Sequence, residues 1–435
     1  MVVQGLQDEK ITMRITFLAL GSRGDVQPLL ALAVRLQQSG RHRICFAAPD
    51  NFESLVREYQ LDFFPLGVNT HTLMGTAELA TGIESGRNFL PLFVWVLRAV
   101  KPMLALLMER TWLSCKDAET ILISTIGIGA YHVAEKTGAP CYMATPIPGI
   151  APTRAYPNPG GVFPMLPLGG GYNLLTYFLS GQILQALTGS YINRWRREKL
   201  RLPPIPFGRF PYSQLHGRPV PALGGYSPLV VPKPSDWGDH IHVTGYWFLD
   251  PKTAWQPPAP LVEFLESGPP PVYVGFGSMA NRDPRQTTRL VSDALERSGQ
   301  RGVLATGWGG LESTNLSANL FALDAIHHAW LFPRVSVVVH HGGSGTTGAG
   351  LRAGVPSVLV PHIGDQPFWA QRVTELGAGP RPIPRRQLTA RRLAEAITDA
   401  VNDTGMQARA LALGERIRAE DGIGKAVEII ERCNP

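Results

Sequence analysis

Short apolar runs rich in β-branched residues alternate along this chain with longer amphipathic ones. The first pair, "RITFLAL" (14–20) and "RICFAA" (43–48), is separated by a polar, glycine-bearing stretch "GSRGDVQP" (21–28) and a run "LLALAVRLQQSG" (29–40) that closes on glycine. Strand, turn, helix and strand in that order predict a βαβ start, the signature of a parallel sheet covered by helices. The pattern restarts late in the chain with strand "PVYVGFG" (271–277), a helix over 284–298 and strand "RGVLAT" (301–306). Two doubly wound units in tandem are the simplest architecture. They meet at a proline-rich joint, so the expected division is a first domain over 1–235, a linker over 236–260, a second domain over 261–415 and a final helix over 416–435. In open parallel sheets ligands bind at the carboxyl ends of the strands, which places the glycine loops at Gly21, Gly277 and Gly342 along one cleft.

Composition narrows the class. The 435 residues suit two domains with their own cores. Forty-one Lys and Arg against 34 Asp and Glu give +7, but no basic stripe with interleaved aromatics appears, so nucleic acid is not expected as a partner and the charge reads as solvated surface. The four cysteines have no metal-ligand spacing, which fits a reducing compartment without zinc or disulfides. "MVVQGLQDEKITM" lacks the basic start and apolar core of a signal peptide, so a cytoplasmic location is expected. The most apolar stretch, "FLPLFVWVLRAVKPMLALLM", is interrupted by Arg98 and Lys101 and reads as a buried amphipathic helix. The segment 155–193, with Ala155 at one end and Asn193 at the other, holds no Asp, Glu, Lys or Arg and leads into "RWRREKLR". It is either core followed by a solvated basic helix, or a lipophilic acceptor pocket, or a patch that docks peripherally on the inner face of an anionic membrane.

The stretch "VVVHHGGSGTTGAGLRAGVP" (337–356) runs from an apolar strand through glycines into a helix, and so aims unpaired N–H groups at an anion. It is not a P-loop, because no lysine follows the glycines, nor a dinucleotide fingerprint, because glycine spacing and the next strand end are wrong. No DxD motif occurs, so no metal is expected.

Together, "GSRGDVQP", "VYVGFGSM", "VTGYWFLD", "HHAWLFPRVSVVVHHGGSGTT" and "GDQPFWAQRVTELGAGP" resemble the UDP-glycosyltransferase superfamily, glycosyltransferase family 1. The resemblance extends to its sterol 3-beta-glucosyltransferase branch and to bacterial enzymes that glycosylate antibiotic aglycones. It implies a GT-B fold, two facing Rossmann-like α/β domains with an interdomain cleft. It also implies an inverting transfer of a hexose, glucose from UDP-glucose, to a hydroxyl of a lipophilic acceptor such as a sterol, with no cofactor beyond the donor. Glycosylation of a polyketide, carotenoid or other aglycone is the alternative within the family. A non-catalytic nucleotide-sugar-binding activator is the alternative outside catalysis.

Asp25 then falls where the family carries its catalytic base, although an aspartate here also suits a helix cap. His341, Gly343 and Thr346 match the HxGxxS/T pattern that holds the diphosphate, with Ser344 and Gly345 between them and the hydroxyl of Thr347 beside them. His340 is expected to face the core. Asp365 and Gln366 match the pair that brackets sugar hydroxyls; Asp365 also suits a cap, and Gln366 has less structural excuse. Ser278 would meet the diphosphate from another loop. His328 and Trp330 would lie by the base, with core packing an equal reading for Trp330. His132 is expected to be structural.

Overall fold

The computed structural model describes residues 13–74, 101–127, 129–160, 162–208, 211–251, 255–277, 283–307, 311 and 316–433. The first sheet has seven parallel strands: β1 (Met13–Leu18), β2 (His42–Ala48), β3 (Asp62–Pro65), β4 (Thr120–Ile123), β5 (Cys141–Thr145), β6 (Ala222–Gly224) and β7 (Ile241–Val243). Their spatial order is β3-β2-β1-β4-β5-β6-β7. The second sheet has five: β8 (Val272–Gly275), β9 (Gly302–Ala305), β10 (Leu320–Leu323), β11 (Val337–His340) and β12 (Ser357–Leu359). These run parallel in the order β10-β9-β8-β11-β12. In each sheet the order reverses beside the first strand, which opens a crevice there at the carboxyl ends.

The helices that position the cleft are α1 (Arg23–Gln38), α2 (Leu104–Cys115), α3 (Gly129–Thr137), α4 (Gly170–Trp195), α5 (Pro284–Arg297), α6 (Ser344–Ala353), α7 (Gln366–Glu375), α8 (Ala390–Asn402), α9 (Thr404–Arg418) and α10 (Gly422–Cys433). Apolar side chains of β1 and β2 and one face of α1 form a core that also takes in Trp247, Ala426, Ile429 and Ile430. The last helix therefore returns to the first domain, where Glu431 accepts from Arg41 (2.7 Å) and pairs with His42 (3.1 Å). A second core lies between β8, β11, α5 and α8. A third joins the domains, with Tyr226, Val230 and Val231 packed on Phe368, Trp369 and Leu413.

Several expectations shift. Helix α1 begins at Arg23, inside the stretch read as a turn, because Ser22 and Asp25 start it and Pro28 removes only one backbone bond, to the carbonyl of Gly24. Ile241–Val243, placed in the linker by its proline-rich surroundings, is the seventh strand of the first sheet. Residues 89–100 of the apolar stretch lie outside the described residues; its continuation is α2, with Leu106 and Leu113 exposed. Within "RWRREKLR", Arg196 is buried, donating through Nη1 to His132 Nδ1 (2.9 Å) and Glu135 Oε2 (2.5 Å). Burial lowers the His132 pKa, which fits a neutral ring accepting from Arg196.

Candidate active site

The cleft is built from two strand-to-helix turns that face each other. On the first, β1 ends at Leu18 and the loop is tied to β4 by Leu20 N–H donating to Ser124 Oγ (2.9 Å). Gly21 has φ +124°, and a Cβ there would sit 2.3 Å from Asp25 Oδ2, so only glycine lets the chain turn this closely over the carboxylate. Ser22 is the N-cap of α1 and Asp25 is its third helical residue. The Asp25 carboxylate reaches back, with Oδ2 accepting from Ser22 N–H (2.8 Å) and Ser22 Oγ (3.1 Å). Oδ1 accepts no hydrogen bond among the described residues. The cap reading of Asp25 therefore holds with a shift: Ser22 is the N-cap and Asp25 closes the capping box from the third helical position, using one of its two oxygens. Burial pushes its pKa above the usual carboxylate value, partly offset by the bonds from Ser22.

On the second turn, β11 ends at His340 and α6 starts at Ser344 with Gly343 as N-cap and no side-chain cap. Thr347 N–H is the first to bond inside the helix, to Gly343 O (2.9 Å). The N–H groups of Ser344, Gly345 and Thr346 are left for a ligand. The His341 ring lies between Gly277 and Gly343, where added Cβ atoms would meet it at 2.8 and 2.5 Å. This close approach puts Nε2 at the mouth of α6. Burial lowers the pKa of His341 to about 4, so the ring is neutral at pH 7 and acts as a hydrogen-bonding group rather than a cation. His340 is fully buried, its Nδ1 accepting from Gly342 N–H (3.1 Å).

The other sequence candidates divide. Asp365 is the N-cap residue of α7, and its Oδ2 accepts from Trp369 Nε1 (2.8 Å). Its pKa is raised to about 7, first by burial and also by the charge of Asp25, which places the two carboxylates on opposite walls of the same cleft. Gln366 does have a structural role: its Oε1 accepts from His362 N–H (2.7 Å) and Ile363 N–H (3.1 Å), bracing the loop that carries Asp365. The Thr347 hydroxyl is likewise taken, donating to Gly343 O (2.9 Å). The Thr346 hydroxyl makes no hydrogen bond among the described residues. His328 stacks on Phe332 (4.3 Å) and has its pKa lowered to about 3, by burial and then by Arg23 and His341. Trp330 packs edge-on to Trp255 (5.8 Å) under the guanidinium of Arg334 (4.5 Å). Ser278 lies outside the described residues. Arg23, passed over in the sequence, donates through Nε to Gln27 Oε1 (3.0 Å) in the first turns of α1, and its charge helps lower the pKa of His327 and His328. Its place beside Asp25 in "GSRGD" was the available signal.

The site thus sets an uncapped helix mouth in one domain against a buried carboxylate in the other. Known proteins resemble the chain in sequence and in fold. The glycosyltransferase family 28 N-terminal domain matches residues 15–153, and the erythromycin biosynthesis protein CIII-like C-terminal domain matches 310–434. A sterol 3-beta-glucosyltransferase of Arabidopsis thaliana is 36% identical over 437 residues, which are 97% of this chain and 68% of that enzyme. The chain belongs to the sterol 3-beta-glucosyltransferase family of glycosyltransferases. A member from Cryptococcus neoformans is also 36% identical over 97% of this chain, which spans 27% of that longer protein. Solved glycosyltransferases share the family's fold at lower identity. The glycosyltransferase of kitacinnamycin superposes with a TM-score of 0.72 at 19% identity, covering 97% of this chain and 99% of that one. The calicheamicin glycosyltransferase gives 0.66 at 18%, covering 97% and 98%. Glycosyltransferase VinC, solved in complex with dTDP, gives 0.65 at 18%, covering 97% and 99%. The chain is therefore a GT-B glycosyltransferase.

Proposed function

We propose that this enzyme transfers glucose from UDP-glucose to the hydroxyl of a sterol or sterol-like lipid, with inversion at the anomeric carbon. The observation that carries the reading is the buried Asp25 carboxylate, held through Oδ2 by its own helix cap, with Oδ1 accepting no hydrogen bond among the described residues and its charge felt by Asp365. The acceptor hydroxyl gives its proton to Asp25 as its oxygen attacks the anomeric carbon, and the bond from that carbon to the diphosphate breaks on the opposite side. Charge then develops on the diphosphate. The N–H groups opening α6, the Thr346 hydroxyl and the His341 ring meet it without rearranging, which is the electrostatic contribution such a transfer needs. Asp365, titrating near neutrality, donates to or accepts from a sugar hydroxyl. The sterol assignment is supported by the named activity of the family members covering 97% of this chain, and by the uncharged segment 155–193. No divalent cation takes part, a reading supported by the absence of a DxD sequence.

Purified protein incubated with UDP-glucose and a detergent-dispersed sterol, with EDTA and with Asp25→Asn in parallel, tests all parts by mass spectrometry. A steryl hexoside made by the wild type in EDTA and missing from the variant is the expected result. UDP release without product moves the acceptor to polyketide or carotenoid aglycones. Untouched UDP-glucose reassigns the donor.

A further inference from the structure

The charge of this chain is concentrated in one place. Between Arg154 and Arg218 the sequence has eight Lys and Arg against the single acid Glu198, a net +7 that equals the formal charge of all 435 residues. The rest of the molecule is neutral in sum. The same segment holds Leu166, Leu168, Leu175, Phe178 and Phe207, five large apolar side chains exposed by between 44% and 72%. Elsewhere in the described residues only Leu106, Leu113, Ile126 and Leu411 are comparably exposed.

These residues share a face. Leu175 and Phe178 are one turn apart on α4, and Gln185 lies two turns beyond Phe178 on the same side. Gln185 holds the loop that carries Phe207, donating to Pro206 O (2.8 Å) and accepting from Gly208 N–H (2.9 Å). Leu166 and Leu168 lead into the first turn, fixed by Tyr172 Oη donating to Pro164 O (2.6 Å). Cations stand at both ends of the stripe. Arg154 is beside the first turn of α4, exposed Arg194 lies in its last turn and exposed Arg197 and Arg201 follow it, with no ion-pair partner for these three among the described residues. No helix among the described residues is long and apolar enough to cross a membrane.

We propose that this face of the first domain docks on the surface of a bilayer containing anionic lipids, the apolar stripe entering the acyl boundary and the arginines meeting headgroups. Exposed leucine and phenylalanine between cations suit a lipid interface, where a partly buried apolar stripe and a flanking positive field act together. A nucleic acid would leave the apolar stripe unmatched. Docking here does not depend on which acceptor or donor the cleft takes.

Flotation of the full chain with phosphatidylcholine vesicles, with and without phosphatidylglycerol, tests it. The wild type floats with the anionic vesicles and is released by high salt. Arg194→Gln, Arg197→Gln and Arg201→Gln combined lower the partition coefficient about a hundredfold, at about fivefold per cation. Leu175→Ser with Phe178→Ser abolishes flotation, while melting temperatures stay at the wild-type value in both variants because all five side chains are exposed. Equal binding to phosphatidylcholine alone, flotation unaffected by the arginine substitutions, or a stable dimer that ignores vesicles would each overturn the proposal.

Discussion

The two cleft turns are built to one plan and used in opposite ways. Each is a strand end, a glycine-bearing loop and a helix. In α1 the third helical residue is Asp25, whose carboxylate closes the turn by accepting from Ser22. In α6 the third helical residue is Thr346, the N-cap is Gly343, and no side chain among the described residues caps the mouth. A helix that caps itself with a carboxylate has little attraction left for an anion, and one left open by glycine is completed by its ligand. Under the proposed reaction, the capping state separates the Rossmann-like half that would receive the diphosphate from the half that would supply the base.

The largest effect that would break this contrast is at Asp25. Asp25→Asn keeps an oxygen for Ser22 but removes the base, and kcat is expected to fall by about 10³-fold with donor KM nearly unchanged. A rise in donor KM with kcat unchanged would instead mean that the residue acts only through the loop. Next comes Thr346→Asp, which writes the α1 arrangement into α6. Donor affinity measured by calorimetry should drop about a hundredfold while the melting temperature rises slightly, since a carboxylate at that position both repels diphosphate and favours the helix.

Smaller again is the coupling across the cleft. Asp365 has a folded pKa of about 7 against 3.8 for the free side chain, so the folded state keeps its proton longer than the unfolded one. Its contribution therefore weakens stability as pH rises from about 4 to about 7. Relative to its value at pH 4, the stability of Asp365→Asn over wild type should grow by about 4 kcal/mol by pH 8, read from urea unfolding. In Asp25→Asn the same pH step should shrink, because one of the charges raising the Asp365 pKa is gone. The least effect is expected from the low pKa of His341: between pH 5 and 8 the rate should carry no inflection from that ring, and His341→Gln should leave the shape of the pH profile unchanged while lowering its height.

Much of this was legible in the sequence where periodicity and glycine placement coincide. The βαβ starts, the tandem sheets and the histidine-led loop follow from runs of Val, Ile and Leu next to glycine. Where a feature rests on contacts distant in sequence, local pattern is silent. Ile241–Val243 pairs with a strand whose neighbours lie far earlier, and proline-rich flanks hide it. The excuse for Gln366 is two backbone N–H groups of its own loop, a bond that no spacing announces. The positive face stayed one of three readings of segment 155–193 and "RWRREKLR", because arginines beside an uncharged run look alike as solvation or as a docking patch until α4 sets them beside exposed leucines. Trp330 could not be assigned from its motif, since Arg334 and Trp255 reach its ring only in three dimensions.

The return of α10 to the first domain bears on how the chain is made. Ala426, Ile429 and Ile430 complete the core of β1, β2 and α1, so the first domain cannot close until the residues that follow the second domain have been made. An intermediate with the second domain folded and the first still open is expected during synthesis. Cutting the gene at the joint would yield one half lacking its closing helix and the other exposing it.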